Sequence, residues 1–347
     1  MPIEHSRLMK QSRLMEQSRL NEALRVTLTV TLCMLIGKFF DFSSPVYFAL
    51  YPTIIMTKGK DYSWYGLAKT LLPTLMAASC AVVVSEIFAD HPFIIWTISL
   101  IFFDQLRRRA TTPAKQGAML MPTFNWILII VFSQHTTMNM PERIHEIFLA
   151  MLITAIMAKI MVALFPIARK GPPPVFTPHP VSYQNRLVSL SLIGSGLAFL
   201  MMVDMISATF CMVPVVAAAI QQNRDSFALV VKRRLLTQVG GCAIAVIFTL
   251  LMAGHQHVIG FYALGLGGLI YLLAYSMANA EGTEKDIHAD ALLATLLPIQ
   301  LYMSSTDLGL ENTFLRAWEL TVTLIILLIC HQLTQPHKDK NTIRGNA

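Results

Sequence analysis

The sequence predicts an all-α polytopic membrane protein made of two parallel repeats of about six transmembrane helices each. Hydrophobic residues make up 54% of the chain and charged residues only 14%, whereas an ordinary soluble domain carries about 25% charged residues. Twelve apolar segments follow one another along the 347 residues, and basic residues lie between them on alternate sides. Because each span needs roughly 20 residues, the composition excludes a sizeable soluble domain.

The chain begins with a basic stretch, residues 1–22, ahead of the first apolar run. Two copies of a six-residue repeat, 6–11 and 12–17, point their leucines in different directions around a helix and so give no apolar stripe. We predict a solvated or frayed cytoplasmic tail, with a basic anchor on anionic lipid as the alternative. The stretch is too polar for a cleavable signal peptide.

Two membrane repeats, residues 23–167 and 185–335, are predicted to be joined by a Pro-rich cytoplasmic linker, 168–184, and followed by a cytoplasmic tail, 336–347. The second and eighth apolar segments are short and contain Pro52 and Pro214. They either cross the bilayer or dip into it and return, which is tolerated where the freed backbone faces protein or water. The predicted segments are 25–40, 45–56, 66–88, 93–106, 117–133, 144–166, 186–203, 206–220, 235–253, 258–279, 288–304 and 312–333.

The positions of the basic residues predict the orientation of these segments. If the N-terminus is cytoplasmic and every segment crosses, 23 of the 27 Lys and Arg residues fall on the inner side. The others are Lys38, Lys159, Arg143 and Arg316. By the positive-inside rule both termini are cytoplasmic, and the net charge of +7 reflects topology. Nucleic acid is therefore not expected as a partner.

The two halves carry matching residues, which predicts an internal duplication. Pro52 matches Pro214, and Cys80 matches Cys242, at the same offset of 162 residues. Because six crossings return the chain to its starting side, the copies insert in the same orientation and are related by an axis along the membrane normal. A cleft on that axis suits a substrate path; alternatively, the duplication only supplies a stable interface.

Sequence motifs of enzymes are absent from the chain, which has no phosphate-binding loop, zinc-protease motif or nucleophile elbow. We therefore predict no enzymatic activity and no cofactor. The five cysteines lie in apolar stretches without a Cys-x-x-Cys pair, so neither a disulfide framework nor a zinc site is expected. His255-Gln256-His257 is interpreted as a wet turn, because a metal would need a third ligand.

The leading candidate residues form two Arg-x-x-Glu pairs, Arg143 with Glu146 and Arg316 with Glu319. Residues three apart share a helix face, and a charge within a span is costly and tends to mark a substrate or ion path. In one interpretation each pair is a salt bridge that fixes the helix end. In the other, arginine binds an organic anion while glutamate exchanges a proton.

Further candidates for proton coupling lie where segments four and eleven meet the inner side. Asp104 is either a proton site or an acid neutralised by neighbouring bases. His288 and Asp290 are either a proton relay or solvated residues at the boundary.

Additional candidates for substrate binding are basic and amide side chains near or within the spans. Lys69 and Arg234 either attract anions at the inner side or extend to the lipid headgroups. Asn125 and Gln300 lie in corresponding segments and either line a polar path or form hydrogen bonds between helices.

Several short motifs together resemble one family of membrane proteins. The opening Ala23–Thr27 up to Gly37, the stretch Ser44–Leu50 and the Arg-x-x-Glu start of the last helix are similar to the fusaric-acid-resistance or aromatic-acid-exporter type. More distantly, the six-helix unit resembles the plant aluminium-activated malate channels. Those exporters usually insert a large cytoplasmic domain between their halves, whereas here only the linker of about 17 residues intervenes.

The resemblance implies efflux of small organic, often aromatic, acids or related toxic compounds across a bacterial inner membrane, commonly with a periplasmic membrane-fusion adaptor. In the aromatic-acid exporters the third helix often starts with Arg and a Gly-Thr pair, and this chain lacks that pattern. We expect a proton-coupled exporter embedded in the lipid bilayer, with a homo-oligomer left open. The rival interpretations are a passive organic-anion channel and a non-transporting scaffold for an adaptor.

Overall fold

The computed structural model describes the backbone of residues 2–40, 42–136, 139–167, 176–203, 206–221, 224–255, 257–303 and 308–333. Within these ranges it describes the side chains from residue 15 onward, except at 224 and 333. Helix accounts for 85% of the structure, and no strand occurs in these ranges. The prediction of an all-helical protein is confirmed. The predicted tail 336–347 and residues 168–175 of the predicted linker lie outside the described residues.

Each predicted segment corresponds to one α-helix of the described chain. A 3₁₀ turn, Ser207–Cys211, leads directly into the eighth helix. The helices are α1 (Pro2–Phe39), α2 (Tyr47–Lys58), α3 (Trp64–Ile87), α4 (Pro92–Arg109), α5 (Pro113–His135), α6 (Met140–Leu164), α7 (Tyr183–Met202), α8 (Met212–Ala219), α9 (Arg224–Leu251), α10 (Ile259–Asn279), α11 (Thr283–Tyr302) and α12 (Leu310–Leu333).

Helix α1 differs from the prediction, because the basic stretch expected to be a frayed tail is helical from Pro2 onward. Between Pro2 and Gly37 the sequence contains neither proline nor glycine. It is rich in Leu, Met, Arg, Glu and Gln, which have high helix propensity. The helix of the apolar run therefore extends back through the polar stretch.

Eight helices of the described residues are long and apolar enough to cross a membrane, so the chain has the character of a multi-pass membrane protein. The helices α2 and α8 are too short to meet this criterion. The other two, α4 and α11, are long enough but carry too many charged residues to be counted as apolar spans. Helix α4 ends on three arginines, and α11 has two acidic residues in its first turn. The eight are α1, α3, α5, α6, α7, α9, α10 and α12.

Polar side chains begin several of the helices. The hydroxyls of Ser63, Thr112 and Ser182 accept hydrogen bonds from the backbone of the first turns of α3, α5 and α7, and Asn139 does the same for α6. Such caps satisfy amide groups that the helix itself leaves unpaired. Before α12, Gly309 has φ of +62° and lies against the Tyr302 carbonyl. Only glycine fits there, so α12 begins directly against the end of α11.

Four helices, α2, α5, α8 and α11, form the interior of the bundle, and we call them the inner helices. Residues 122–131 of α5 and 292–300 of α11 are buried without interruption, as is the whole of α8. A helix enclosed on all sides is apolar all round and has no polar face. Each inner helix contains a proline, and these are Pro52, Pro122, Pro214 and Pro298. Pro214 lies in the first turn of α8, but each of the other three lies inside its helix and leaves a backbone carbonyl within the protein without its helical hydrogen bond.

The remaining helices surround the inner ones in a pattern that recurs between the two halves of the chain. Helix α3 packs on α5 and α6, and α9 packs on α11 and α12. Between the halves, α1 packs on α10 while α7 packs on α4, and α2 packs on α11 while α5 packs on α8. Raising or lowering each helix number by six converts one set of contacts into the other.

One contact between α9 and α11 gives the first testable prediction. A Cβ atom added at Gly241 would lie 2.6 Å from Ala294 Cβ and 2.9 Å from Thr295 N, whereas one at Gly240 would meet nothing within 4 Å. We expect Gly241→Ala to lower the melting temperature of the purified protein, because overpacking costs about 1–3 kcal/mol. The control Gly240→Ala should be neutral or stabilising. Equal melting temperatures would contradict this contact.

Candidate functional site

The candidate residues lie at two opposite ends of the helix bundle. At one end, which we call the arginine end, Arg143 and Arg316 lie in the first two turns of α6 and α12. At the other, the aspartate end, α4 finishes near Asp104 and α11 begins near Asp290. Helix α2 runs from one end to the other. The segment before its first residue binds Glu146 through Ser43, and its last residue, Lys58, binds Asp290.

Arg143 is buried between two aromatic side chains at the arginine end. Only 5% of its surface is exposed. Its Nε donates a hydrogen bond of 3.0 Å to the Tyr47 hydroxyl, and its guanidinium carbon lies 4.0 Å from the centre of the Phe132 ring. Stacking on an aromatic face favours a guanidinium group. The inner helices α2 and α5 thus position the arginine of α6.

A chain of polar contacts leads from Arg143 into the interior. The Tyr47 and Tyr51 rings stack with centroids 5.6 Å apart. The Tyr51 hydroxyl donates a 3.1 Å hydrogen bond to Asn125 Oδ1, and the Asn125 amide donates to the Met121 carbonyl. Two tyrosines of α2 therefore link Arg143 to Asn125, two candidate residues that the sequence alone did not connect.

The Glu146 carboxylate faces the segment that leads into α2. Its Oε1 accepts a 2.8 Å hydrogen bond from the Ser43 backbone amide. Its Oε2 is buried and has no hydrogen-bond partner in the part of the chain that the structure describes. A buried carboxylate oxygen without a hydrogen bond is costly. One acceptor site of this carboxylate stays open.

Arg316 lies in the second turn of α12 and is even more enclosed than Arg143. Its side chain is 1% exposed, and its guanidinium carbon lies 4.9 Å from the centre of the Phe210 ring. Tyr302 and Cys242 are within hydrogen-bonding reach of this side chain. Nevertheless, Arg316 Nε and Nη1 are buried without a partner among the described residues. Two charged donors therefore point into the protein unused.

Glu319 repeats the arrangement of Glu146. Its Oε1 accepts a 2.6 Å hydrogen bond from the Ser207 hydroxyl, in the 3₁₀ turn that leads into α8. Its Oε2 is buried and unpaired within the described ranges. In both halves, then, the hydrogen bond that the structure gives the glutamate goes to the segment before a short inner helix. The arginine of the same helix packs against aromatic rings.

At the aspartate end, two residues that the sequence analysis assigned to different roles form one cluster. Asp290 Oδ1 lies 2.8 Å from Lys58 Nζ, and its Oδ2 lies 3.2 Å from Arg234 Nη2. The side chains of Asp290 and Arg234 are 16% and 8% exposed. Proximity to two bases favours the charged carboxylate. The ion pairs of Asp290 therefore connect α11 to α2 and α9, and Asp290 is not a solvated residue at the boundary.

Asp104 is also paired, but its partner lies in the other half of the chain. Arg186 donates from Nε to Asp104 Oδ1 at 2.9 Å and also contacts Oδ2. The bases that follow Asp104 in α4 were expected to neutralise it. The structure instead uses the first turn of α7, because α7 packs along α4. A third ion pair between the halves, Lys285 with Glu22, lies at the same end.

The other candidates are placed apart from these clusters. Lys69 is exposed on α3, with its amine 6.0 Å from the Tyr65 ring centre. His288 is half-buried in α11. Gln300 is buried and donates a long hydrogen bond of 3.4 Å to the Met34 carbonyl, so it joins α11 to α1. The structure does not bring Lys69 together with the arginines.

Sequence reasoning missed the aromatic side chains that enclose both arginines. They lie on other elements, namely α2, α5, α11 and the 3₁₀ turn before α8, and the apolar character of these segments hides which ring faces which charge. A tyrosine pair spaced i, i+4 in α2 is the one local signal, since residues four apart share a helix face. The missed residues are Tyr47, Tyr51, Phe132, Phe210 and Tyr302, together with Ser43 and Ser207, which bind the glutamates.

Comparison with known protein families gives a match over part of the chain. The model of a family described as "Protein of unknown function (DUF2955)" matches residues 22–161, which belong to the first predicted repeat. No curated protein and no solved structure matches the chain. The resemblance to the aromatic-acid exporters is not confirmed by this match and stays a prediction. Over helices α1 to α6, the chain is thus similar to a family with no described activity.

Proposed function

We propose that this protein is a bacterial inner-membrane transporter that exports small organic, principally aromatic, acids. The observation that carries the proposal is the state of Arg316, a buried guanidinium with two unpaired donors beside an aromatic ring. An anionic oxygen of a substrate would accept a charge-assisted hydrogen bond from one of these donors. An aromatic substrate would also pack on Phe210, and a charge buried inside a span typically marks a substrate path.

The proposal includes two repeats of six helices related by an axis along the membrane normal. The recurrence of helix contacts between the halves supports it, as does the matching environment of the two Arg-x-x-Glu pairs. Both arginines lie near the start of the sixth helix of their half, and both glutamates contact the segment before the second. On this arrangement the inner helices line the axis between the repeats.

Proton coupling is assigned to Glu146 and Glu319. Each has a carboxylate oxygen that is buried without a partner, and a proton on that oxygen would remove an uncompensated charge from the interior. The glutamates lie on the same helices as the anion-binding arginines. Proton uptake there would therefore change the field at the substrate, which is a direct route to coupled exchange.

The aspartate end is proposed to be cytoplasmic. It includes the segments between helices that hold most of the lysines and arginines, as the positive-inside rule requires. Three ion pairs that join the halves within the described ranges also lie there. Opening this end to take up substrate would separate Asp104 from Arg186 and Asp290 from Lys58.

Transport is tested with inside-out membrane vesicles that contain the full chain and have an acidic interior. We expect radiolabelled benzoate to accumulate against its passive distribution, since a weak acid alone partitions away from an acidic compartment. Accumulation should collapse when a protonophore is added, and vesicles lacking the protein are the control. Benzoate currents that are insensitive to the proton gradient would indicate a channel. If the vesicles show no benzoate flux and no current, the transport proposal is wrong and the result favours a non-transporting scaffold.

A further inference from the structure

We infer that Arg107, near the end of α4, is a binding site for a small oxyanion at the aspartate end, separate from Arg143 and Arg316. The inference deepens the proposed function and rests on it in one respect, because the site would serve as a second station on the same anion path. Three observations support it. Arg107 is buried without a hydrogen-bond partner among the described residues, the nearby Asp104 is already paired with Arg186, and the last turn of α10 has no charged residue.

The guanidinium of Arg107 is enclosed and unpaired. The side chain is 1% exposed, and Nε, Nη1 and Nη2 are all buried with no hydrogen-bond partner among the described residues. The next two residues, Arg108 and Arg109, are exposed. An unpaired buried charge destabilises a protein strongly, so we expect a counter-charge to bind this guanidinium during function.

Other buried arginines in the described ranges have protein partners. Arg25 contacts the Phe165 carbonyl, Arg143 contacts the Tyr47 hydroxyl and Arg234 contacts Asp290. Even Arg316 keeps Tyr302 and Cys242 within reach. Arg107 differs from all of them because none of its donors is used.

The nearest acid on the same helix face cannot neutralise Arg107. Asp104 precedes it by three residues and therefore lies on the same side of α4, yet both of its oxygens contact Arg186. That pair is neutral as a whole, so it does not offset the charge of the Arg107 guanidinium. An anion that reaches Arg107 can accept hydrogen bonds from its guanidinium without first breaking a hydrogen bond within the protein.

The second half shows that the fold itself does not require an arginine here. Helix α10 corresponds to α4 in the proposed duplication, and its last turn is uncharged, with Met277 fully buried. An apolar side chain fills the equivalent place at no electrostatic cost. The arginine in α4 is therefore explained better by a ligand than by packing.

The ligand class follows from the chemistry of guanidinium. Its planar fork matches the two oxygens of a carboxylate or a phosphate, whereas a lysine would offer only a point charge. Because the site is almost fully enclosed, the oxyanion must be small or present only its headgroup. A free organic anion and a lipid phosphate share this chemistry, and the experiment separates them.

The test uses full-length protein in lipid-free detergent, in the Arg143→Gln/Arg316→Gln background so that anion binding at the arginine end is removed. Melting temperatures are measured with no addition, with benzoate, with inorganic phosphate and with phosphatidylglycerol. We expect at least one oxyanion to raise the melting temperature. Adding Arg107→Met should abolish that rise, and Arg107→Lys should weaken the apparent affinity about tenfold, as expected for loss of one charge-assisted hydrogen bond. Arg108→Met, an exposed neighbour, should leave it unchanged.

The stability of the ligand-free variants separates binding from a structural role. We expect Arg107→Met to raise the melting temperature without ligand, because it removes an unpaired buried charge. A lowered melting temperature, failure to fold, or an oxyanion response that persists in Arg107→Met would overturn the inference. A response to phosphatidylglycerol alone that depends on Arg107 would assign the site to a lipid headgroup. Because these readouts need no transport, they stand even if the vesicle assay shows no export.

Discussion

Replacing Arg143 and Arg316 together by glutamine is expected to abolish benzoate accumulation in energised vesicles while the protein stays in the membrane. Each arginine is buried against an aromatic ring at the arginine end. A hydrogen bond to a charged group contributes about 1.5–3 kcal/mol, so each single variant should weaken apparent affinity by about 10- to 100-fold. The measurement is initial accumulation rate against benzoate concentration.

The single variants should differ in size. Arg143 already donates to Tyr47, whereas two donors of Arg316 are unpaired, so Arg316→Gln should have the larger effect. Arg108→Gln removes a positive charge from an exposed position and serves as the control for net charge. If the double variant is inserted in normal amounts and accumulates benzoate at the normal rate, the arginines do not bind the substrate.

Replacing Asp290 by asparagine is expected to give a large loss of stability, about 3 kcal/mol. The change leaves the buried Arg234 and the nearby Lys58 without their shared counter-charge. Breaking a buried ion pair by removing one partner costs about 3–5 kcal/mol. The lower end applies here because Lys58, 38% exposed, can turn towards water. The melting temperature of the purified variant, measured by loss of tryptophan signal, reports the effect.

The matched control is Asp286→Asn, which removes an acid from an exposed position in the first turn of the same helix. It should change the melting temperature little. A second variant, Asp290→Leu combined with Arg234→Met, should recover much of the lost stability, because replacing both members of a buried pair by apolar groups is often neutral. If Asp290→Asn unfolds at the same temperature as Asp286→Asn, the cluster does not hold α2, α9 and α11 together.

Local sequence patterns were enough to predict where helices lie. The runs that became α3, α6 and α12 are apolar over more than a membrane thickness, and a bilayer or a closed core leaves the backbone no alternative to helical hydrogen bonding. The short, proline-containing segments that became α2 and α8 could be recognised as unusual. Their place inside the bundle could not, because an unbroken apolar run has no periodicity to indicate which neighbours enclose it.

The charged residues show the same division. An Arg and a Glu three apart must share a helix face, so the sequence identified Arg143 with Glu146 and Arg316 with Glu319 as units. Their contacts, however, come from segments about 100 residues away, such as Ser43 and Ser207. Likewise Arg107, Arg108 and Arg109 are identical neighbours in the sequence, whereas packing of α4 buries only the first of them.

By itself, the sequence determined that the chain is helical and apolar enough to cross a membrane several times, because both properties depend on composition and on residues a few positions apart. Only the tertiary structure decided which charges meet. Asp104 pairs with Arg186 and Asp290 with Lys58 because helices distant in sequence pack side by side. Arg107 has no hydrogen-bond partner in the part of the chain that the structure describes, because the acid on its own helix face pairs with a residue of α7.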